Sequence, residues 1–299
     1  MAIEFANETG SRSRTLRQLG AYFGLTFAIT WGLGALLILA RPQLEAIIGP
    51  IGETSHHWLY YVAVYAPTIS AVSLSLAFGG WAGVKALAMR FVRPARPAWL
   101  LIALLFWPLV LTLYELAMRV AGAAGGVDLH ALWVGAPVLA LTTTALITDP
   151  GGFGEEIGWR GFALPRLLTL CRPLTAALIL GFIWGLWHLP AFFVSDLSQS
   201  QFALGWFLLT TTTLTVVMTW IFVNANGNLL VAGVIPHLML NLLFDVHALS
   251  GNIVRIEAIS MTVLAVGLVA ILGPSLKGWR SPESASEEAL SSTVSSAGS

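Results

Sequence analysis

The chain consists of long apolar stretches separated by short polar connections. Eight of these stretches approach the roughly 20 residues that a helix needs to cross the hydrocarbon core of a bilayer. The pattern therefore predicts an all-α, polytopic membrane protein with about eight transmembrane helices. The predicted spans are Leu19–Ala40, Trp58–Phe78, Trp99–Met118, Ala131–Thr148, Leu174–Phe193, Phe202–Val223, Leu229–Val246 and Val254–Leu272.

The composition agrees with this pattern. Of the 299 residues, 57% are hydrophobic and only 10% are charged, whereas soluble domains carry about a quarter charged residues. The formal net charge is zero, so there is no electrostatic reason to expect a nucleic acid as a partner. The single cysteine, Cys171, cannot form an intrachain disulfide, and it excludes a metal site built from several cysteines.

Basic residues accumulate in alternate connections, and the bias predicts that both termini lie in the cytoplasm of a protein of the cell membrane. We expect a cytoplasmic segment over residues 1–18, a transmembrane domain over 19–273 and a serine-rich, disordered cytoplasmic tail over 274–299. The connections on the other side carry only Arg41, Arg119 and Arg255. The predicted cytoplasmic connections carry Arg12, Arg14, Arg17, Lys85, Arg90, Arg93, Arg96, Arg166, Arg172, Lys277 and Arg280.

Two adjacent carboxylates and an arginine interrupt the apolar pattern in "GEEIGWRGFALPR". Glu156 and Arg160 are four residues apart on a helix and can form an ion pair. Glu155 then points about 100° away and lacks that partner. The region 131–168 is too long for one straight crossing, and "DPGG" at Asp149–Gly152 predicts a break in it. Such a break is tolerated where the backbone lines a cavity or is buried in protein.

Two histidines fall at a similar depth. At a rise of 1.5 Å per residue, His188 lies roughly 20 Å into its span, His237 roughly 12 Å and Glu155 roughly 18 Å. Asn241 follows His237 by one helical turn, and Pro236 predicts a kink just before them. Ionisable groups at membrane depth are costly and indicate function. We therefore predict that these side chains share one intramembrane site.

The three motifs resemble those of the CPBP family of intramembrane proteases, which comprises CAAX prenyl protease 2 and the bacteriocin-processing, or Abi, proteins. The resemblance extends over about Leu100 to Val246, which is the predicted motif-bearing core. One position departs from the family pattern, because a tryptophan stands where the second motif has phenylalanine. The family's EExxxR corresponds to Glu155, Glu156 and Arg160, its FxxxH to Trp184 and His188, and its HxxxN to His237 and Asn241.

The resemblance implies a CAAX prenyl endopeptidase-like enzyme that hydrolyses peptide bonds of membrane-associated or lipidated substrates. By resemblance, Glu155 activates the attacking water and His188 assists it. His237 and Asn241 would stabilise the oxyanion, a role in which one lost donor costs roughly 3 to 4 kcal/mol. The neighbouring ion pair would support the site, which would admit water from the cytoplasm. No cofactor is required in this favoured interpretation.

Three alternatives remain open at the level of sequence. Glu155, His188 and His237 form a His₂Glu set of the kind found in catalytic zinc sites, although no HExxH motif is present. A transporter could use the same polar cluster as a proton or ion path, but inverted repeats typical of transporters are not apparent. The chain could also be a catalytically silent scaffold or immunity protein of the membrane.

Overall fold

The computed structural model describes residues 2–120, 122, 129, 130, 133, 149–246 and 253–276, and every regular element in that part is helical. Two π-helical turns, Trp159–Ala163 and Leu230–Val234, adjoin α-helices without a loop. The α-helices are α1 (Ala2–Leu39), α2 (Arg41–Ile48), α3 (Trp58–Val64), α4 (Ala66–Ala88), α5 (Pro97–Val120), α6 (Pro150–Gly158), α7 (Leu164–Leu167), α8 (Pro173–Trp187), α9 (Leu204–Asn224), α10 (Ile235–Val246) and α11 (Ile253–Leu272).

The all-α membrane architecture is confirmed. In the described part of the chain, 6 helices are long and apolar enough to cross a membrane, and a shorter apolar helix covers Leu230–Asn241. The predicted number of eight is not established, because the span predicted at Ala131–Thr148 lies almost entirely outside the described residues. The predicted tail also lies outside them from residue 277 onward. The six long helices are Ser11–Leu39, Ala66–Val92, Pro97–Val120, Pro173–Phe193, Leu204–Asn224 and Val254–Leu272.

The second predicted span is not one continuous straight helix. Tyr65 separates α3 from α4, and Gly80 within α4 has a positive φ of 59°. A Cβ atom on Gly83 would collide with the carbonyl oxygen of Ser75. The residues after Gly80 therefore fold back against the first part of α4, and the straight part of this helix ends close to the predicted boundary at Phe78.

The helix that carries the first motif starts at the predicted break, and the residues directly before Asp149 lie outside the described part of the chain. Asp149 has an extended backbone, and its Oδ1 atom accepts a hydrogen bond of 2.6 Å from the Gly151 amide. Pro150 follows at the first helical position, where its missing N–H costs nothing. A new helix, α6, therefore starts at this point and carries the two adjacent glutamates into the core.

α6 packs unusually close to α4 and α1. A Cβ atom on Gly158 would overlap the Tyr22 hydroxyl and the Pro67 carbonyl group. Glycine is therefore required there by close approach of the backbones, as is common between membrane helices. The Tyr22 ring stacks on Phe162 and meets Trp159 edge to face, which fixes the rotation of the motif helix about its axis.

α9 forms the centre of the bundle and packs against both α8 and α11. Thr210, Thr213 and Thr215 are buried, and their hydroxyl groups donate to carbonyl oxygens one turn back along the same helix. Because these hydroxyl groups are hydrogen-bonded within their own helix, the polar side chains lie inside an apolar bundle at little cost in free energy. One of them, Thr215, faces the site described next.

Candidate active site

The structure brings the predicted site residues together in one buried cluster. α6 supplies both glutamates, and the π-helical turn after it supplies Arg160. His188 lies directly after α8, where the α-helical part of the run Pro173–Phe193 ends and a 3₁₀ segment follows. α10 supplies the remaining histidine and asparagine. Both π-helical turns adjoin the cluster, and such turns are frequent at functional sites.

Glu156 connects the buried arginine of the cluster with one of its histidines. Its Oε1 atom accepts 2.7 Å from Nη1 of Arg160 and 2.8 Å from Nδ1 of His237. Both members of the Glu156–Arg160 pair are fully buried. The predicted i,i+4 pair is therefore present, and it also holds a histidine from a helix that is distant in sequence.

Arg160 is anchored from two further directions. Its Nη2 atom donates 2.9 Å to the Thr215 hydroxyl of α9. Its guanidinium carbon lies 4.4 Å from the centroid of the Trp184 ring, a cation–π contact that gains strength in a desolvated position. The arginine thus connects α6, α8 and α9 around one carboxylate.

Glu155 has a different environment from its neighbour. It accepts a hydrogen bond of 2.6 Å at Oε2 from the indole N–H of Trp184. The Nε2 atoms of His188 and His237 each lie 3.9 Å from one of its oxygens. Glu155 is 5% exposed, has no arginine partner and faces the cavity, as its predicted position on the helix requires.

The hydrogen-bond partners of the two histidines fix the proton on one ring nitrogen of each. Nδ1 of His188 lies 2.9 Å from the Trp184 carbonyl oxygen, and Nδ1 of His237 faces the Glu156 carboxylate. Both partners can only accept, so each Nδ1 carries a proton. A neutral ring then presents an Nε2 lone pair to Glu155. His237 can donate from Nε2 only as an imidazolium, which the two nearby carboxylates would stabilise.

Gly151 lies where the amide of Asn241 and the imidazole of His237 converge. A Cβ atom on this glycine would lie 2.9 Å from Nδ2 of Asn241 and 3.0 Å from both Nε2 of His237 and Oδ1 of Asp149, the oxygen that accepts from the Gly151 amide. The two nitrogen atoms therefore flank one small space beside the start of α6. A side chain at position 151 would fill that space.

A cavity of about 520 Å³ contains these groups. Its inner wall includes Glu155, His188, His237 and Asn241, and its outer wall includes exposed residues such as Ser198. The Glu156–Arg160 pair lies behind this wall and is closed to the cavity, whereas Glu155 is open to it. Two adjacent carboxylates thus have different environments, one closed to the cavity and one open to it.

Two residues that matter for the geometry were not assigned a role from the sequence. Trp184 was treated only as a replacement for phenylalanine, but its N–H donates to Glu155, which a phenylalanine ring cannot do. Gly151 was part of the predicted break but not of the site. Its proximity to Asn241 depends on how α10 packs against α6, which spacing along the chain does not reveal.

The residues of the alternative zinc set have suitable chemistry. Neutral His188 and His237 direct Nε2 lone pairs toward Glu155, and their Nδ1 atoms are held by acceptors, as is usual for metal-binding histidines. As they stand, no three His, Cys, Asp or Glu side chains within the described residues are close enough to hold a metal ion. A tetrahedral zinc site with each ligand about 2 Å from the metal would require these 3.9 Å separations to shorten.

The fold and the site together define a polytopic membrane protein with a cluster of titratable side chains buried among its helices. Residues 133–243 match the family described as type II CAAX prenyl endopeptidase Rce1-like. A CAAX prenyl protease 2 from Methanococcus maripaludis is 26% identical over 122 residues, which cover 38% of this chain and 44% of that relative. The chain thus matches less than half the length of this relative.

The family match spans all three motifs, and both matches support the resemblance to the CPBP proteases. The resemblance predicted from Glu155 to Asn241 is therefore confirmed at the level of the family. Both the apolar helices and the family indicate an integral membrane protein.

Loss of the Glu156 carboxylate is expected to destabilise the protein. Glu156→Ala leaves Arg160 and the Nδ1–H of His237 without their shared acceptor, and breaking a buried ion pair costs about 3 to 5 kcal/mol. The melting temperature in detergent should fall markedly. Glu45→Ala is the matched control, because Glu45 also pairs with an arginine four residues away, Arg41, but at the surface. Equal, small changes in both variants would contradict the role assigned to Glu156.

Proposed function

We propose that this protein is an intramembrane endopeptidase that hydrolyses peptide bonds of membrane-associated peptide or protein substrates. The proposal rests mainly on the surroundings of Glu155. It is a carboxylate without an arginine or lysine partner that faces two imidazoles across a cavity, while the adjacent Glu156 is fixed in an ion pair with Arg160. The family match supports a protease.

In this proposal Glu155 is the general base. A water molecule between Glu155 and His188 gives a proton to the carboxylate, and its oxygen attacks the carbonyl carbon of the scissile bond. The Nε2 lone pair of His188 accepts the second water hydrogen in a hydrogen bond and so orients the attack. Glu155 then transfers its proton to the leaving amine nitrogen as the C–N bond breaks, which restores the carboxylate.

The space beside Gly151 is the proposed oxyanion hole. Nδ2 of Asn241 can donate to an oxygen atom there, and His237 can donate in its imidazolium form. Groups of this kind stabilise charge that develops only in the transition state. The Glu156 carboxylate acts through His237, since it holds Nδ1 and orients the ring.

A zinc-dependent form of the same protease would use Glu155, His188 and His237 as ligands. The metal would supply a Lewis acid that activates water. Asn241 would not be a ligand in that form, because zinc is bound by Cys, His and carboxylate side chains. The effect of removing the Asn241 side chain therefore distinguishes the zinc-dependent protease from the metal-independent one.

We further propose that the motif-bearing core covers about residues 100–246 of a transmembrane domain at 19–273, and that both termini are cytoplasmic. The side-chain contacts are consistent with one basic end of the bundle. Arg166 donates 2.9 Å to Gln18 near the start of the first span, and Arg93 donates to the Asn226 carbonyl. Basic connections from distant parts of the chain thus lie at the same end.

Glu155→Gln is expected to abolish peptide hydrolysis while the melting temperature stays close to that of the wild type. Removal of a general base costs typically 10² to 10⁴-fold in rate. The measurement is hydrolysis of a quenched fluorescent peptide library by the purified protein in detergent. Glu257→Gln is the matched control, because Glu257 is also buried in the membrane region but is separate from the cavity wall. Retention of wild-type turnover by Glu155→Gln would refute the base assignment.

Trp184→Phe is expected to lower kcat by roughly 10-fold or more with little change in KM, since a hydrogen bond to a charged group contributes about 1.5 to 3 kcal/mol. The variant removes the N–H donor that positions Glu155 but keeps a ring beside Arg160. Trp107→Phe, at a fully buried tryptophan of α5, controls for lost volume. If both variants lose stability and rate equally, Trp184 has no positioning role.

Activity is expected to survive exhaustive chelation, and Asn241→Ala is expected to lower kcat roughly 10² to 10³-fold with little effect on substrate binding. Both results follow if the oxyanion is stabilised by side-chain donors. Metal analysis of the active protein accompanies the assay. Stoichiometric zinc, together with a nearly unchanged kcat in Asn241→Ala, would instead establish the zinc-dependent form. The protease assignment would remain intact.

A further inference from the structure

A second cavity, of about 180 Å³, contains none of the predicted site residues. It opens between α1, the end of α4 and the π-helical turn that follows α6. Two arginines, Arg90 and Arg166, lie in its wall, and no carboxylate of the described residues does. The other polar residues of the wall are Gln18 and Ser75. The cavity is therefore positively charged.

Arg166 is held by contacts that leave one end of its guanidinium group available. Its Nε atom donates 2.9 Å to Gln18, and Nη1 donates 2.8 Å to the Phe162 carbonyl oxygen. The guanidinium carbon lies 3.4 Å from the centroid of the Phe162 ring. Nη2 has no hydrogen-bond partner within the described residues. The side chain is thus fixed in position, and one donor nitrogen remains for a ligand.

Arg90 lacks a partner of opposite charge. It lies in a 3₁₀ segment, Met89–Val92, and is half-buried. It forms no hydrogen bond or ion pair with any residue that the structure describes, and the charged groups that act on it are Arg93 and Arg166, which repel it. A charge that is partly removed from water is costly unless it is paired. An anion in the cavity would offset this cost for both arginines of the wall.

The donors and the size of the cavity indicate what kind of anion fits. A guanidinium group presents its N–H donors in a planar fork that matches phosphate oxygens, and such charge-assisted hydrogen bonds are short and strong. Sites for drug-sized ligands measure about 300 to 1,000 Å³. The 180 Å³ of this cavity is therefore suited to one phosphate group with small substituents.

The surroundings of the cavity resemble the headgroup region of a bilayer. The chain turns back at Gly80, close to where the straight part of α4 ends. The returning segment combines the exposed apolar side chains of Trp81 and Met89 with the charge of Arg90. Exposed aromatic and apolar side chains beside basic residues are typical of segments that lie in the membrane interface. The cavity is therefore placed at the depth of lipid phosphates.

An apolar stripe leads away from the cavity along α4. Gly79 of the cavity wall follows Leu76, Val72 and Ile69 at intervals of three and four residues, so all four lie on one face of the helix. The three apolar side chains are exposed and available to acyl chains. Basic pockets between transmembrane helices bind anionic lipid headgroups, and this stripe would accommodate the rest of such a lipid.

We propose that this cavity binds the phosphate group of an anionic phospholipid of the surrounding membrane. Arg90 and Nη2 of Arg166 hold the phosphate oxygens, and the acyl chains lie along the exposed stripe of α4. The site is separate from Glu155 and does not depend on the proposed hydrolysis. Because Phe162 and Arg166 continue the helical run that starts with the first motif, the lipid also stabilises the end of that run.

The first experiment compares Arg90→Gln with Arg96→Gln in delipidated protein in a nonionic detergent. Arg96 is exposed, belongs to the same basic stretch and lies outside the cavity wall. Without lipid, the melting temperature of Arg90→Gln should equal or exceed that of the wild type, because an unpaired charge is removed. Phosphatidylglycerol should raise the melting temperatures of the wild type and of Arg96→Gln but not that of Arg90→Gln.

Two results of this comparison would overturn the proposal. An equal rise in all three proteins would show that the lipid acts through the general surface charge. A lower melting temperature of Arg90→Gln without lipid would show that Arg90 is stabilised by the protein itself.

The second experiment identifies the source of the phosphate. Phosphatidylglycerol, phosphatidylcholine and inorganic phosphate are titrated separately onto the delipidated protein, and the bound species are counted by native mass spectrometry. One phosphatidylglycerol should bind per chain, and Arg90→Gln and Arg166→Gln should each weaken its binding by roughly 10-fold, since each removes charge-assisted contacts. Equal binding of phosphatidylcholine, or the full rise in melting temperature with inorganic phosphate alone, would exclude an anionic lipid as the ligand. Both experiments measure binding, so neither outcome bears on hydrolysis.

Discussion

The buried ion pair between Glu156 and Arg160 is the interaction on which the rest of the site depends. Neither side chain is exposed, and the desolvation of two charges is costly unless each is well satisfied. Here the carboxylate also accepts from His237, and the guanidinium also contacts Thr215 and Trp184. Four helical segments that are distant in sequence thereby converge on one pair of charges. Such a pair contributes less to net stability than to the uniqueness of the arrangement.

This arrangement explains how two adjacent glutamates come to differ in chemistry. A helix separates neighbouring side chains by about 100°, so only one of the two can face Arg160. The pair fixes Glu156 toward the protein interior, and the rotation of the helix then directs Glu155 toward the cavity. Tyr22 and Gly158 maintain that rotation, because the ring and the close backbone contact allow no other. The availability of Glu155 is thus a consequence of the immobility of Glu156.

Much of the fold and of the candidate site could be predicted from the sequence, because the patterns that indicate them involve residues close together in the chain. The ion pair needs only i,i+4 spacing, and the break at Asp149 needs only a capping carboxylate before a proline. The identity of the residues that meet followed from matched depths. The roles of Trp184 and Gly151 could not be predicted, since they depend on the distances between α6, α8 and α10. The length of the second apolar stretch does not reveal that the chain turns back at Gly80. That turn depends on the positive φ of this glycine.

The position of His188 shows most clearly what linear depth cannot provide. Counting along an apolar stretch placed it within a span, but α8 ends at Trp187 and a 3₁₀ segment follows. The histidine therefore lies where the helix ends and the connection begins, with its Nδ1 bound to the carbonyl of Trp184 one turn back. The same local feature, the end of one α-helix, thus holds the imidazole in its tautomer and places it in the wall of the cavity that contains Glu155.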